Sequence, residues 1–317
     1  MITLGLLKTE LRSFLVNTSL TSRITDWAYW VHTDILSMTY KFWWNNKTSS
    51  LATVDGTAEY FLNYRCNADQ LTQMIDTSNN NELIIKCDIE TIYGTSDYST
   101  DEGEPLNWAL VGLYGVQAIS TSDDVATVVS SSASDLSISC VIHGQVSGIE
   151  TTEEISLNGT TPVVGTTTWD EGTVWQVTLG SVPFGNITVT IDTDTIVVIP
   201  AGQYRIQCPK IRLWRIPGDV RTINYTYQKN PIKVTNSNDV IDLPDHAFEC
   251  LMKGVMYWGH LNNGDVDYAE NTMKPAYEKA KKKLIELADA RNFRQKDFLE
   301  QDGAVFTLPR TITYVVT

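Results

Sequence analysis

Apolar residues near both ends of the chain recur every three or four positions, the period of an amphipathic helix. The first of these segments carries Leu4 and Leu11 on one face, and Pro244 stands where a later helix start favours a proline. The spacing predicts helices over approximately 4–16, 21–44, 244–258 and 266–291. Because Pro275 falls inside the last pattern, that segment has either a kink or a later start near Lys274.

The middle of the chain shows a period near two, which is typical of strands separated by turns rich in Gly, Pro, Asn and Asp. Four predicted strands lie outside a Ser/Thr/Val-rich stretch, at 59–64, 83–92, 108–117 and 204–216. Six more lie within that stretch, at 126–130, 136–143, 153–157, 173–179, 185–191 and 195–199. Their spacing is that of a small β-sandwich of the immunoglobulin-like kind.

These patterns predict an α+β fold. N- and C-terminal helices form a helical bundle with a small β-domain, into which an all-β immunoglobulin-like sandwich is inserted. The predicted scaffold comprises 1–117 and 203–297, and the inserted sandwich comprises 118–202. Residues 298–317 are predicted to form an extended C-terminal tail that docks on a partner, with an apolar end in Ile312, Tyr314, Val315 and Val316.

Charge is distributed unevenly along the chain, whose net charge is −14. No Lys or Arg occurs between Lys86 and Arg205, a stretch that carries sixteen Asp and Glu. Without cations this part cannot make phosphate contacts, which excludes sequence-specific DNA binding by it. Positive charge is concentrated near the C-terminus, in a lysine run that comprises Lys279, Lys281, Lys282 and Lys283. Such a run indicates either a solvated helix face or contact with an acidic partner or DNA backbone.

No catalytic constellation, cofactor motif or metal-ligand spacing is found in the sequence, so no enzyme, cofactor or metal site is predicted. His246 and Cys250 stand four residues apart on one predicted helix, but no second ligand pair accompanies them. The five cysteines are widely spaced, which fits free thiols in a reducing compartment rather than a disulfide framework. Neither a signal peptide nor a membrane span is predicted.

The order of motifs in the outer segments carries a family resemblance. The segments are Ile24-Thr25-Asp26-Trp27-Ala28-Tyr29-Trp30, Gly56-Thr57-Ala58-Glu59-Tyr60-Phe61-Leu62, Glu102-Gly103-Glu104-Pro105, Ile211-Arg212-Leu213-Trp214-Arg215-Ile216-Pro217-Gly218, Ile223-Asn224-Tyr225-Thr226-Tyr227-Gln228-Lys229-Asn230-Pro231 and Asp242-Leu243-Pro244-Asp245-His246-Ala247. Over 1–117 and 203–317 the chain resembles the head-to-tail adaptor proteins of tailed bacteriophages, of the tail tubular protein A type. The run Glu153-Glu154-Ile155-Ser156-Leu157-Asn158-Gly159-Thr160 resembles a hairpin of immunoglobulin-like modules in phage virion proteins.

The resemblance implies a structural virion protein of the neck, assembled in the host cytoplasm. Subunits of the family form a twelve-fold ring between the capsid portal and the next tail or nozzle protein, and double-stranded DNA passes through the ring without base readout. The C-terminal tail would then dock on the portal protein. No membrane partner is implied.

Two sets of residues are candidates for these contacts. The aromatic helix predicts an inter-subunit contact through Trp27, Trp30, Phe42 and Trp43, since a helix with so many aromatic residues is buried on more than one side. Acids predicted to face the lumen or the next tail ring are Asp97, Asp101, Glu102 and Glu104.

Two other classes of function remain open at this point. A carbohydrate-binding or adhesin module would use Trp169 and Trp175 as exposed rings that stack on host sugars. A cell-wall hydrolase is the least favoured class, because the sequence shows neither a nucleophile motif nor suitably paired acids.

Overall fold

The structure, a computed structural model, describes residues 2–12, 23–38, 42–95 and 97–301, with side chains described as far as residue 289. The chain divides into two compact units. The helical unit combines Met1–Asn46 with Pro231–Thr317, and the β unit is Lys47–Asn230. Helices from both ends of the chain and sheets from its middle confirm the predicted α+β class.

The described helices are α1 (Leu4–Arg12), α2 (Ile24–Ser37), α3 (Ile89–Tyr93), α4 (Phe248–Asn262), α5 (Val266–Tyr268) and α6 (Lys274–Gln301). In the helical unit, α1, α2, α4 and α6 bury their apolar stripes in one core. Trp27 and Val31 of α2 meet Leu251 and Val255 of α4 there, together with Leu284 of α6. Burial of each such side chain contributes about 1.5–3 kcal/mol, which far exceeds helix propensity as the stabilising term.

The ends of the helices differ from the predictions. The second helix ends at Ser37 rather than near residue 44, because the chain makes a short 3-10 turn at Trp43–Asn45 and then enters a strand. A π-helical turn, Ala269–Met273, joins α5 to α6 without a break, so this segment is helical from Val266 as predicted and is irregular just before Pro275. The last helix runs to Gln301, and the predicted extended tail therefore begins inside a helix; residues 302–317 lie outside the described residues.

The described strands are β1 (Asn46–Ala52), β2 (Glu59–Phe61), β3 (Cys66–Asp76), β4 (Glu82–Leu83), β5 (Ile85–Lys86), β6 (Glu102–Gly103), β7 (Asn107–Tyr114), β8 (Asp124–Ser130), β9 (Leu136–Val146), β10 (Ile149–Asn158), β11 (Val163–Trp169), β12 (Gln176–Leu179), β13 (Ile187–Ile191), β14 (Asp194–Ile199), β15 (Cys208–Trp214), β16 (Ile216–Pro217) and β17 (Thr222–Lys229). The predicted strand at 83–92 is wrong in its second half, where α3 forms. The sequence patterns also missed β1, β3, β11 and β17.

Two four-stranded sheets lie outside the 118–202 stretch. Their strand orders are β1-β17-β3-β4 and β2-β15-β7-β5. Alternate side chains of β15 and β17, such as Ile211, Leu213, Ile223 and Tyr225, point into the core between these strands. This alternation is what a strand with one buried face requires.

Within 118–202 the strands form two further sheets, β10-β9-β12 and β11-β8-β13-β14. Their facing side chains build a separate core around Trp169. The same core contains Val116, Ile206 and Cys208, which are almost fully buried and lie outside the predicted insert. The flanking segments therefore share the core of the inserted strands.

Specific contacts cover the edge strands on both sides of these two sheets: β10 and β11 on one side, and β12 and β14 on the other. On one side, an Oε1 atom of Glu153 in β10 accepts hydrogen bonds from the backbone N–H groups of Thr166 and Thr167 in β11, at 2.5 and 3.1 Å. On the other side, Gly115 pairs with Gln176 of β12, and the N–H of Gln117 donates to Ile196 O of β14. These contacts cover strand edges that would otherwise be open to pairing with another chain.

This shared core predicts that the boundaries of a stable fragment lie beyond 118 and 202. A fragment of residues 114–208 is expected to fold, whereas 118–202 should have a much lower urea midpoint. The shorter fragment loses Val116, Ile206 and Cys208, whose burial contributes about 1–3 kcal/mol each. Far-UV circular dichroism during urea titration measures the difference, and equal midpoints for the two fragments would contradict the prediction.

Candidate interaction surfaces

The four aromatic candidates for an inter-subunit contact occupy different environments. Trp27 and Phe42 are almost fully buried in the core of their own unit, so they offer no surface to a neighbour. Trp43 is half-buried and packs edge-on against Trp44. Trp30 is 45 % exposed, which makes it the member of this set that is most available to a partner.

Trp30 lies on the solvent-facing stripe of α2, in line with the exposed residues Arg23, Thr33 and Ser37. Its ring contacts that of Trp258 on α4 edge to face, with a centroid separation of 5.2 Å. Trp258 is itself half-buried. Sequence periodicity did not indicate this pair. Two tryptophan rings on a helical surface are the residue type that most often anchors a protein interface.

The four candidate acids also divide into two kinds. Asp101 forms an ion pair with Arg215 at 3.1 Å, and Glu104 forms one with Arg221 at 3.3 Å. Asp97 and Glu102 are exposed and, within the described residues, make no ion pair. Of the four candidate acids, only Asp97 and Glu102 therefore contribute uncompensated negative charge to the surface.

Arg221 gathers three carboxylates around one guanidinium. It donates to Asp76 at 2.9 Å, to Asp219 at 2.5 Å and to Glu104. The hydrogen bond to Asp76, whose side chain is nearly inaccessible, is the main reason that the pKa of Arg221 is raised. Because removing one partner would leave a buried charge unpaired, we assign this network to holding β17 on β3.

The segment that carries Asp97 is held by cation–π contacts. The guanidinium of Arg212 on β15 lies 5.4 Å from the ring centroids of Tyr93 and Tyr98, and it also donates to Glu59 at 3.0 Å. The polar face of β15 thus anchors the loop beyond α3, where Asp97 is presented.

The two tryptophans proposed to stack on sugars are not both exposed. Trp169 is completely buried, and a Cβ atom added at Gly144 would lie 2.6 Å from its ring. The interpretation of Trp169 as an exposed ring is wrong, because this residue is the centre of the sandwich core. Trp175 is half-buried.

Other residues singled out in the sequence have ordinary structural surroundings. The ring of His246 packs edge-on against Trp44 at 5.0 Å, and Cys250 is buried in the helical core. Burial raises the pKa of the Cys66, Cys140, Cys208 and Cys250 thiols to about 12. At neutral pH these thiols are protonated and poorly nucleophilic.

The apolar end of the predicted tail, Ile312, Tyr314, Val315 and Val316, lies outside the described residues. Among the described helices, none has the length and apolar character needed to cross a lipid bilayer. The candidate surfaces are therefore the Trp30–Trp258 pair and the exposed acids Asp97 and Glu102. Comparison of the chain with models of protein families and with curated proteins finds no match.

Proposed function

We propose that this protein is a ring-forming head-to-tail adaptor of a tailed bacteriophage, which links the capsid portal to the tail and leaves a channel for double-stranded DNA. The inserted strands act as an immunoglobulin-like accessory module on this scaffold. In this proposal the protein is part of the virion neck and does not act as an enzyme.

The observation that carries the proposal is the exposed Trp30–Trp258 pair on a helical unit built from the segments that resemble the adaptor family. Trp30 belongs to the aromatic helix of that resemblance, and its ring is directed to the surface although its neighbour Trp27 is buried. A tryptophan exposed in the isolated subunit and covered by the next one is the usual anchor of a subunit interface.

The charge of the chain supports the channel part of the proposal. The uncompensated acids Asp97 and Glu102 are of the kind that repels a DNA backbone rather than holding it. We expect Asp97→Asn with Glu102→Gln to slow genome release or weaken tail attachment if these acids face the lumen or the next ring. Unchanged release and attachment would place both acids elsewhere.

The ring is tested by light scattering and negative-stain microscopy of the full chain, alone and mixed with the portal protein of the same virion. Rings that bind portal are expected, and Trp30→Ala should weaken self-association by about thirtyfold, the effect of losing an anchor worth about 2 kcal/mol. Tyr268→Ala is the matched control, since Tyr268 is similarly exposed at 48 % but lies after α4. A wild-type protein that stays monomeric and ignores portal contradicts the proposal.

A carbohydrate-binding function is less well supported, because burial of Trp169 removes one of its two stacking rings. Glycan-array binding by a monomeric protein would favour that function over the ring. No residue arrangement among the described residues favours a hydrolase.

A further inference from the structure

The two units differ sharply in charge. The helical unit holds 15 Lys and Arg against 16 Asp and Glu, whereas the β unit holds 9 against 22. Almost all of the net charge of −14 therefore belongs to the β unit. Copies of such a chain repel one another when they meet through their β units, and cations of the helical unit would offset this repulsion in a contact between the two kinds of unit.

Four cations of the helical unit lie on α4 and α6 in one cluster, which we call the lysine stripe and define as Lys253, Lys279, Lys282 and Lys283. Lys279, Lys282 and Lys283 are exposed on neighbouring turns of α6, and Lys253 lies half-buried on α4. Both helices belong to the same packed core, so the stripe is a feature of a rigid surface.

One acid lies among these lysines. Glu249 accepts a hydrogen bond from Lys283 at 2.9 Å, and this bond, with the charges of Lys283, Lys253 and Lys279, lowers the pKa of Glu249. The ion pair is more than half exposed on both sides and so contributes little stability. Glu286 lies one turn further along α6, and the stripe keeps a positive excess.

The lysines of the stripe repel one another in the isolated subunit. Lys279 stands three and four residues before Lys282 and Lys283, and like charges at such spacings destabilise a helix by about 0.2–0.5 kcal/mol per pair. Glu278 and Glu286, four residues before and after Lys282, offset part of this cost. Within the described residues Lys279 and Lys282 make no ion pair. Lys281, in contrast, points inward and bridges Asp34 and Glu278 at 3.1 and 2.8 Å. An anionic partner would turn the cost of the stripe into a gain.

The most suitable anionic surface in the system is the sandwich region of the β unit. Asp123, Glu171 and Asp192 are exposed there, and within the described residues none of the three makes an ion pair. Their loops are held together, since the N–H of Glu171 donates to Asp123 at 2.6 Å and Ser122 Oγ donates to Asp192 at 3.2 Å.

We infer that the lysine stripe of one copy docks on the acidic sandwich surface of a second copy, in a head-to-tail contact. This inference rests on the proposed ring and names a contact that builds it. A heterologous contact of this kind repeats from copy to copy and closes when the rotation between copies completes a ring. DNA is the competing occupant of the stripe, but charge complementarity within the chain provides a permanent partner, whereas passing DNA must not be held.

A charge-swap experiment tests the contact. The stripe variant is Lys279→Glu with Lys282→Glu and Lys283→Glu, and the acid variant is Asp123→Lys with Glu171→Lys and Asp192→Lys. Each variant alone is expected to self-associate at least about tenfold more weakly than wild type, because like charges then face each other. In an equimolar mixture every contact pairs opposite charges again, so association should return to the wild-type level.

The control variant, Lys47→Glu with Lys86→Glu and Lys274→Glu, has the same net charge as the stripe variant but changes exposed lysines elsewhere. It should assemble like wild type. Sedimentation velocity measures association, and circular dichroism checks that all variants fold.

Two results would overturn the inference. The first is a stripe variant that assembles normally, and the second is a mixture that fails to recover. A stripe variant that assembles normally and also loses binding to a short DNA duplex would, in addition, assign the stripe to DNA. If the wild-type protein forms rings and one of these results is found, only the stripe contact is refuted and the proposed function stands. If the wild-type protein is monomeric, both proposals are refuted.

Discussion

Replacing Gly254 by valine is expected to unfold the helical unit or to lower its free energy of unfolding by more than about 3 kcal/mol. Gly254 lies on α4 where that helix meets α2 and α6. A Cβ atom there would lie 2.6 Å from Val31 Cγ1 and 2.8 Å from Tyr277 Cε2. Neither neighbour can move freely, since Val31 is completely buried and Tyr277 is 4 % exposed.

Alanine at the same position separates the two opposing effects. It gains about 1 kcal/mol of helix propensity over glycine, but the clash costs about 1–3 kcal/mol, so we expect a net loss of up to about 2 kcal/mol. Gly112→Ala is the matched control, because a Cβ at Gly112 meets only Tyr114 at an ordinary 3.5 Å. Thermal unfolding followed by far-UV circular dichroism measures both changes. A Gly254→Val protein as stable as wild type would show that the three helices pack less closely than described.

Asp135→Ala is expected to lower the stability of the β unit by about 3–5 kcal/mol, the second large effect. Asp135 is completely buried, and its carboxylate accepts hydrogen bonds from Ser130 Oγ at 2.6 Å, Phe184 N at 2.7 Å and Gly185 N at 2.9 Å. Alanine leaves two buried donors and the partly buried Phe184 N–H without this acceptor, and each unsatisfied buried donor costs about 1–3 kcal/mol. Ser134→Ala is a suitable control, since Ser134 is exposed in the same loop.

The same carboxylate makes stability depend on pH in the acid range. Burial opposes ionisation, but the hydrogen bonds from Ser130, Phe184 and Gly185 outweigh it and lower the pKa of Asp135 below its usual value. A group with a lowered folded-state pKa contributes stability above its unfolded pKa of about 4 and loses it as pH falls through the folded value. Urea midpoints below about pH 4 should therefore fall more steeply for wild type than for Asp135→Asn. Parallel curves for the two proteins would contradict this assignment.

Sequence periodicity predicted a helix or strand correctly where apolar residues recur at regular spacing on one of its faces. The stripe of Ile24, Trp27, Val31 and Ile35 predicted α2, and the alternation of β13 and β14 predicted those strands within a few residues. Core-facing spacing is a local property, so it is visible without knowledge of the fold.

Two of the missed strands, β3 and β11, have irregular patterns with physical causes. In β11 the pairing with β8 shifts register between Val164 and Thr168, where Glu153 binds the backbone from the neighbouring sheet. In β3 the buried positions, Cys66, Leu71, Met74 and Asp76, do not alternate strictly, and its pairing with β17 shifts register twice. A bulge displaces the alternation that a period of two would reveal.

The sequence identified the candidate aromatic and acidic residues, but it could not show which of them are exposed to a partner. An aromatic-rich helix indicated a buried surface, but the sequence could not say that Trp27 serves the subunit's own core and Trp30 its exterior. That distinction depends on the direction from which α4 approaches α2. Likewise, the acids Asp101 and Glu104 resemble Asp97 and Glu102 in sequence, and only the distant arginines Arg215 and Arg221 distinguish them.

The division of the helical unit between both ends of the chain affects how the protein is made. On the ribosome, residues 1–46 emerge first, but their apolar faces have no partners until α4 and α6 have been translated. The β unit, which is contiguous, can fold during that interval. The helical surfaces that carry Trp30 and the lysine stripe therefore form last, and in the proposed ring this order would keep nascent chains on one polysome from joining through them prematurely.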